Sequence, residues 1–312
     1  MITKGNFEKL QNEVIAQILT DDTAKRLKFC RLLPKKKLSN DSEYYTYFNQ
    51  AVTLDEAIAK GDLGEVKPIA PGVSLQELNV RTPINKTVAI NTFGGVVNIA
   101  NNLFDKDIYS IINILKDVSA LIGTGIEKAA VDTIMNSSDI NTYNTTKSGE
   151  TYADYGEFIL DAQEELRSKA GNLVDFNSAA VNYKSMTSLK HAFYTSNVEV
   201  EPLEDLNAYF PRATIDVLGT GVCDGGQYIP EKKYIGMDYR QPPMSLLYTQ
   251  TSGTTVAPIN TDNETVDYYP VVEFMRKDIK DELPKYTKLF VQTRVGFLLN
   301  KPEYAIKGNF RP

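Results

Sequence analysis

"KTVAINTFGGVVNIANNLFDKDIYSIINILKDVSALIGTGIEKAAVDTIM", residues 86–135, carries two periodicities in one run. From about Asp105 to Met135, the apolar residues Ile108, Ile111, Ile112, Leu115, Val118, Ile122, Ile126 and Ala130 form one helical stripe. Asp105 or Asp107 can cap its start. At 1.5 Å per residue such a helix spans roughly 45 Å, which suits a spine better than one layer of an ordinary domain. Gly123 and Gly125 interrupt the stripe and predict either a bend or a close crossing by another backbone. The half of the run before the helix is extended and rich in β-branched residues.

That extended half is the return limb of a longer excursion. "EYYTYFNQAVTL" goes out, "LNVRTPINKTVAINTFGGVVNIA" comes back, and a stretch full of Gly and Pro lies between them. Strands of about ten residues reach roughly 33 Å, and a lone hairpin of that length is marginal in water. The excursion between Glu43 and Val97 therefore has to rest on something. Tyr44, Tyr45, Tyr47 and Phe48 on the way out, and Val80, Arg81, Ile84, Val88 and Ile90 on the way back, are the candidate contact residues. Just before it, "AKRLKFCRLLPKKK" is basic and ends in Lys35, Lys36 and Lys37. It reads as a solvated connector or as an arm that meets an acidic neighbour or packaged nucleic acid.

The rest of the chain alternates. Residues 6–19 predict a first helix, with Phe7, Leu10, Val14 and Ile18 on one face and Asn6 as its cap. A further helix carries Phe158, Ile159, Ala162 and Leu166 and ends near Gly171, and a short one follows at "NYKSMTSLKHA". Strand-like pieces then run to the end. There "VQTRVGFLLNKPEYAIKGNF", residues 291–310, reads as a closing hairpin around a Lys-Pro turn. Helices and strands in this order make an α+β chain.

Composition removes several function classes. Of the 312 residues, 42% are hydrophobic and 24% charged, with a formal net charge of −6. A negative surface argues against general nucleic-acid affinity. No apolar run reaches the roughly 18–20 residues that cross a bilayer, and the amphipathic N-terminus lacks a signal sequence's apolar segment. Cys30 and Cys223 form no zinc pattern. His191 is the single histidine and has no nucleophile motif to serve, so it reads as structural. "DVLGTGVCDGG" places Gly219 and Gly221 after a strand, as a dinucleotide-binding turn would. However, Asp224 stands at the third glycine position and no amphipathic helix follows. No cofactor, metal or catalytic set is expected from these patterns.

The order of elements resembles the major capsid proteins of tailed double-stranded DNA viruses, the Hong Kong 97 fold, over nearly the whole chain. Residues 86–135 look like that family's passage from extended loop into spine helix, although "DTIMNSS" lacks a common glycine. "ILDAQEELRSKAGNLVDFNSAAVNYKSMTSLK" is similar to the helices of its axial domain. "FVQTRVGFLLNKPEYAIKG" resembles its closing strands through Arg294, Gly296, Pro302, Ala305 and Ile306.

The resemblance implies an N-terminal arm (1–42), an extended loop with its return strand (43–97) and a peripheral domain with the spine helix (98–150). An axial domain (151–264) and closing strands of the peripheral domain (265–312) complete the layout. It implies a non-enzymatic subunit of an icosahedral shell, found in the virion and assembled in the host cytoplasm. The expected partners are copies of itself in hexamers and pentamers, a separate scaffolding protein, a portal, and double-stranded DNA held without sequence specificity; no membrane is involved. Its subunit contacts would use Lys35, Lys36, Lys37, Tyr44, Tyr45, Tyr47, Phe48, Arg81, Ile84 and Val88. Two other readings stay open: an encapsulin-like nanocompartment shell, and a nucleotide-binding enzyme using the turn near Gly219.

Overall fold

The structure is a computed structural model. It describes residues 12–50, 83–100, 108–144, 162, 164–168, 178–185, 221–224, 226–238, 241–254, 272–279 and 286–309. Helix α1 (Asn12–Arg26) leads through a 3-10 turn (Phe29–Leu32) into β1 (Lys35–Lys37). Then come β2 (Tyr44–Gln50), β3 (Pro83–Ala89), β4 (Asn91–Ala100) and the long helix α2 (Ile108–Met135). The remaining strands are β5 (Asn141–Thr142), β6 (Ser178–Val181), β7 (Gly221–Asp224), β8 (Lys233–Met237), β9 (Met244–Thr249), β10 (Glu273–Ile279), β11 (Tyr286–Leu299) and β12 (Ala305–Asn309).

Helix α2 is unbroken over 28 residues. Ile111, Leu115, Ile122, Ile126 and Ala130 of the expected stripe are buried, joined by Val131 and Ile134. Gly123 marks a close crossing by another backbone, the second of the two expectations, whereas Gly125 faces only a side chain. A β-carbon on Gly123 would sit 2.8 Å from Cβ of Arg26 and 3.2 Å from the carbonyl oxygen of Thr23, both on α1. One on Gly125 would meet the ring edge of Phe93 at 3.2 Å.

Helix α1 differs from its expected span. Residues 6–11 lie outside the described residues, and the helix runs on to Arg26. Lys25 and Arg26 in its last turn suit the negative end of the helix dipole, and Gln17 donates to Asp21 one turn on. The buried face is Ile15, Ala16, Leu19, Thr20 and Thr23, while Ile18 is only half-buried. Counting apolar residues alone passes over Thr20 and Thr23, which line the crossing, and the side chains of Phe7, Leu10 and Val14 lie outside the described residues. Thr23 donates to the carbonyl of Ser119 at 3.4 Å, and Thr20 accepts from the backbone N–H of Val272 at 3.3 Å.

The basic stretch after α1 is neither connector nor free arm. Leu27, Phe29, Cys30, Leu32 and Leu33 are buried in the main core. Glu127, on the buried stripe of α2, holds the turn. Its carboxylate accepts the backbone N–H groups of Lys28 at 3.0 Å, Phe29, and Cys30 at 3.2 Å. Lys35, Lys36 and Lys37 then pair in parallel with Leu246, Leu247 and Tyr248 of β9. A run of lysines suits that place, since charge on an edge strand discourages stray pairing.

Strand β11 organises the first sheet. Along Tyr286–Val295 it pairs antiparallel with β4. Its opposite edge is taken first by β10 and then, from Arg294 to Leu299, by β9. Burial alternates from Tyr286 to Arg294, with Thr287, Leu289, Val291 and Thr293 turned inward. From Val295 to Leu298 every residue is buried, because a second layer covers the outer face there.

The closing stretch is not a hairpin. After β11 the chain makes a 3-10 turn (Pro302–Tyr304), and β12 enters a second sheet ordered β5-β12-β8-β6-β7. β12 pairs antiparallel with β8 and parallel with β5. The Lys-Pro turn was legible, but a turn fixes only a change of direction, and the pairing partners come from distant sequence. Of the two helices expected near 158–190, only fragments around Ala162 and Ser185 fall within the described residues.

Two consequences are measurable. Gly123→Ala should cost about 1–3 kcal/mol by overpacking against α1, whereas Gly125→Ala should be close to neutral because the Phe93 ring can shift. Denaturant midpoints that rank the two in the opposite order contradict the crossing. Glu127→Ala should cost about 3 kcal/mol, since three buried N–H groups lose their acceptor. Burial pushes the Glu127 carboxyl above its ordinary range, against the opposing pull of those N–H groups. It therefore supports the folded state most below the unfolded carboxylate range, and this support fades as pH rises through the raised value. The stability of the natural chain relative to Glu127→Gln should thus fall as pH rises from 4 toward 7 in parallel denaturant titrations.

Candidate functional site

The excursion between β2 and β3 forms a two-stranded sheet of its own, apart from the two larger sheets. The two strands pair antiparallel in seven positions, from Tyr44 opposite Ala89 to Gln50 opposite Pro83. The connecting residues 51–82 lie outside the described residues. The return strand leaves this ladder at Ile90 and continues directly as β4 in the first sheet. The excursion is therefore rooted in the strand that β11 pairs with.

Polar contacts fix this root. The Arg294 guanidinium donates to the carbonyl of Ser42 at 3.1 Å and lies 4.0 Å from Asp41. Asp41 takes a positive φ of 59° and accepts from Ser252, through its backbone N–H at 3.0 Å and its hydroxyl. Those Ser252 hydrogen bonds, with the Arg294 charge behind them, hold the Asp41 carboxyl below its ordinary range. Ile90 closes the ladder by donating to the carbonyl of Glu43 at 2.8 Å. Gly296 makes the crossing possible, because a β-carbon there would fall 2.7 Å from Cδ1 of Ile90 and 2.9 Å from the Ala89 carbonyl oxygen. Arg294 and Gly296 of the closing motif thus seat the base of the excursion.

A small apolar layer completes the seat. Ile90, Leu247 and Leu298 are buried together, with Leu38, Tyr45, Tyr47 and Val88 packed against them. Tyr45 and Tyr47 stack with ring centroids 6.4 Å apart. The Lys36 ammonium lies 4.4 Å over the Tyr45 ring and donates to its hydroxyl. The Tyr47 hydroxyl donates to the carbonyl of Leu299 at 3.3 Å. Lys86 and Asp139 make an exposed ion pair at 3.7 Å, which adds little.

These positions divide the ten candidate contact residues. Tyr45, Tyr47 and Val88 are half-buried by this chain's own apolar layer, which leaves part of each for any further contact. Lys35, Lys36 and Lys37 belong to an edge strand, and Lys36 is engaged with Tyr45. Tyr44 stands 64% exposed on the outward side of the ladder, beside the exposed Thr46, Thr87 and Ala89. Phe48 and Ile84 lie within the paired backbone, but their side chains, like all of Arg81, lie outside the described residues. Arg294, Asp41 and Glu127 escaped the reading of contact residues. Each is a charged residue in or beside an apolar or turn-forming run, and that was the available signal.

Among the described residues no three His, Cys, Asp or Glu side chains are placed to hold a metal. Cys30 is buried, and its thiol is pushed up by burial first and by the Glu127 charge second, which makes it a poor nucleophile. His191 and Gly219 lie outside the described residues, and Gly221–Asp224 forms strand β7. No described helix is long and apolar enough to cross a membrane.

No protein-family model and no curated protein matches the sequence. Solved structures do. A virus-like particle from Pyrococcus furiosus is 12% identical, with a TM-score of 0.59 over 95% of this chain and 98% of that one. The capsid of an empty GTA particle is 10% identical, with a TM-score of 0.59 over 92% and 90%. A structure from Gordonia phage Cozz is 9% identical, with a TM-score of 0.56 over 92% and 88%. The chain has the mixed helix-and-sheet fold of phage and virus-like-particle capsid proteins, and the resemblance to the Hong Kong 97 fold holds at that level.

The Arg294 contacts predict a separable defect. Arg294→Ala should leave α2 intact and loosen the ladder, so amide exchange across 42–50 and 83–91 should accelerate while that of 111–134 stays unchanged. Uniform acceleration across both regions contradicts a role confined to the root.

Proposed function

We propose that this chain is a structural subunit that assembles with copies of itself into a closed icosahedral shell of hexamers and pentamers, a viral capsid enclosing double-stranded DNA. The observation that carries this reading is the excursion. A two-stranded ladder is seated firmly at its base by Arg294 and Gly296, yet it turns Tyr44 and its outward face to solvent. A long ladder of this kind is marginal alone, and a second copy of the chain can cover it. Head-to-tail contact lets the same excursion serve every subunit, and repetition closes a ring. The surface buried per subunit should exceed the roughly 2,000 Å² at which obligate interfaces begin.

On this reading α2 is the spine of a peripheral domain, and the second sheet joins β6, β7 and β8 of the expected axial range to β5 and β12 of the expected peripheral ranges. A separate scaffolding protein and a portal assist assembly in the host cytoplasm. The chain has no catalytic activity of its own, in keeping with its single histidine. A nanocompartment shell is the second reading, favoured by the likeness to the Pyrococcus furiosus particle. Packaged DNA in purified particles separates the viral reading from it.

Deleting residues 55–75 should give a soluble, folded chain that no longer forms particles in negative-stain microscopy, where the full chain does. Normal assembly of the shortened chain would remove the excursion from the mechanism.

A further inference from the structure

Among the described elements the chain passes three times between the unit of α2 with the first sheet and the second sheet: α2 to β5, β8 to β9, and β11 to β12. Two of these crossings run together, as Asn300 and Lys301 donate through their backbone N–H groups to the carbonyl of Pro243 at 3.0 and 3.1 Å. Lys301 also reaches the Gln241 side chain at 3.2 Å. The third crossing, after α2, is held differently. Lys307 of β12, only 9% exposed, extends its ammonium to the end of the helix. There it donates to the carbonyls of Ile134 at 3.3 Å, Met135 at 2.9 Å, and Ser137.

The Met135 carbonyl is one of the acceptors that a helix leaves at its C-terminus, where the helix dipole favours a cation; the Ile134 carbonyl also accepts from the Ser137 N–H at 3.2 Å, and Ser137 follows the helix. Beside this crossing the seam is apolar packing: Ile134 and Ile140 share one core cluster with Ile235, Met237 and Ala305. Apolar contact is non-directional, so it holds the two parts together without choosing their angle. Charged hydrogen bonds are directional and strong. β12 itself is anchored in the second sheet by β8 and β5, so the Lys307 side chain ties that whole sheet to the axis of α2.

We propose that Lys307 is the clamp that fixes the angle of the second sheet against the long helix and, through it, the curvature of the assembled shell. The last clause rests on the shell reading of function; the clamp itself does not.

The test uses the full chain with Lys307→Met, which keeps the apolar stem and removes the donors, and Lys307→Arg, which keeps a cation with several donors. Lys307→Met should fold, by circular dichroism, yet exchange amides at 134–144 and 305–309 about tenfold faster than the natural chain. Its particles should spread in diameter where those of the natural chain are uniform, and Lys307→Arg should restore much of both properties. Unchanged exchange in Lys307→Met overturns the clamp, and unchanged particle diameters overturn the link to curvature. An unfolded Lys307→Met chain also overturns the clamp, since Lys307 would then be needed for folding itself. If the natural chain forms no particles, the reading of function fails, and the exchange data alone decide the clamp.

Discussion

A fourteen-residue strand, β11, paired along both edges and covered on part of both faces, is the constraint on which the rest of this structure depends. Its inward residues pack toward α2, and one edge holds the return limb of the excursion. The far end lies under the excursion's own root. No one-residue slip of β11 is tolerable, because it would turn Leu289 and Val291 outward and bring Arg294 into the core. The register that buries the core also delivers Arg294 to Ser42 and Gly296 to Ile90.

Three charged residues give direction to what apolar packing leaves loose. Glu127 ties the turn at 28–30 to the long helix, Arg294 ties the excursion to β11, and Lys307 ties β12 to the helix end. In each case the partners include backbone groups, so the contact orders chain direction as well as side-chain position. Burying a charge is costly unless its hydrogen bonds are made, and the backbone supplies three at Glu127, three at Lys307 and one at Arg294. A shell subunit has particular use for such ties, because small errors in the angle between its parts accumulate around a closed ring.

The long helix was legible because eight apolar residues kept one period, and Gly123 announced the crossing that α1 makes. The two limbs of the excursion were legible from their aromatic and β-branched runs. Three things were hidden. The run Lys35–Lys37 reads as solvated by charge alone, and only its pairing with β9 makes it a strand. The buried face of α1 includes Thr20 and Thr23, which an apolar count passes over and whose hydroxyls find partners at the crossing. The closing strands read as a hairpin because local turn chemistry is visible while pairing with β5 and β8 is not. As for the contact residues, a sequence cannot tell apolar surface covered by its own chain from surface left for another. Tyr45 and Tyr44 are neighbours in sequence, yet this chain half-buries the first and leaves the second exposed.

The most direct test of the central claim is a cryo-electron microscopy map of particles formed by the full chain, expressed with its genomic neighbours. The account predicts a closed shell in which the β2–β3 ladder leaves the subunit that seats it and lies against an adjacent copy. A chain that stays monomeric under those conditions, or a shell in which the ladder touches only its own subunit, would contradict it.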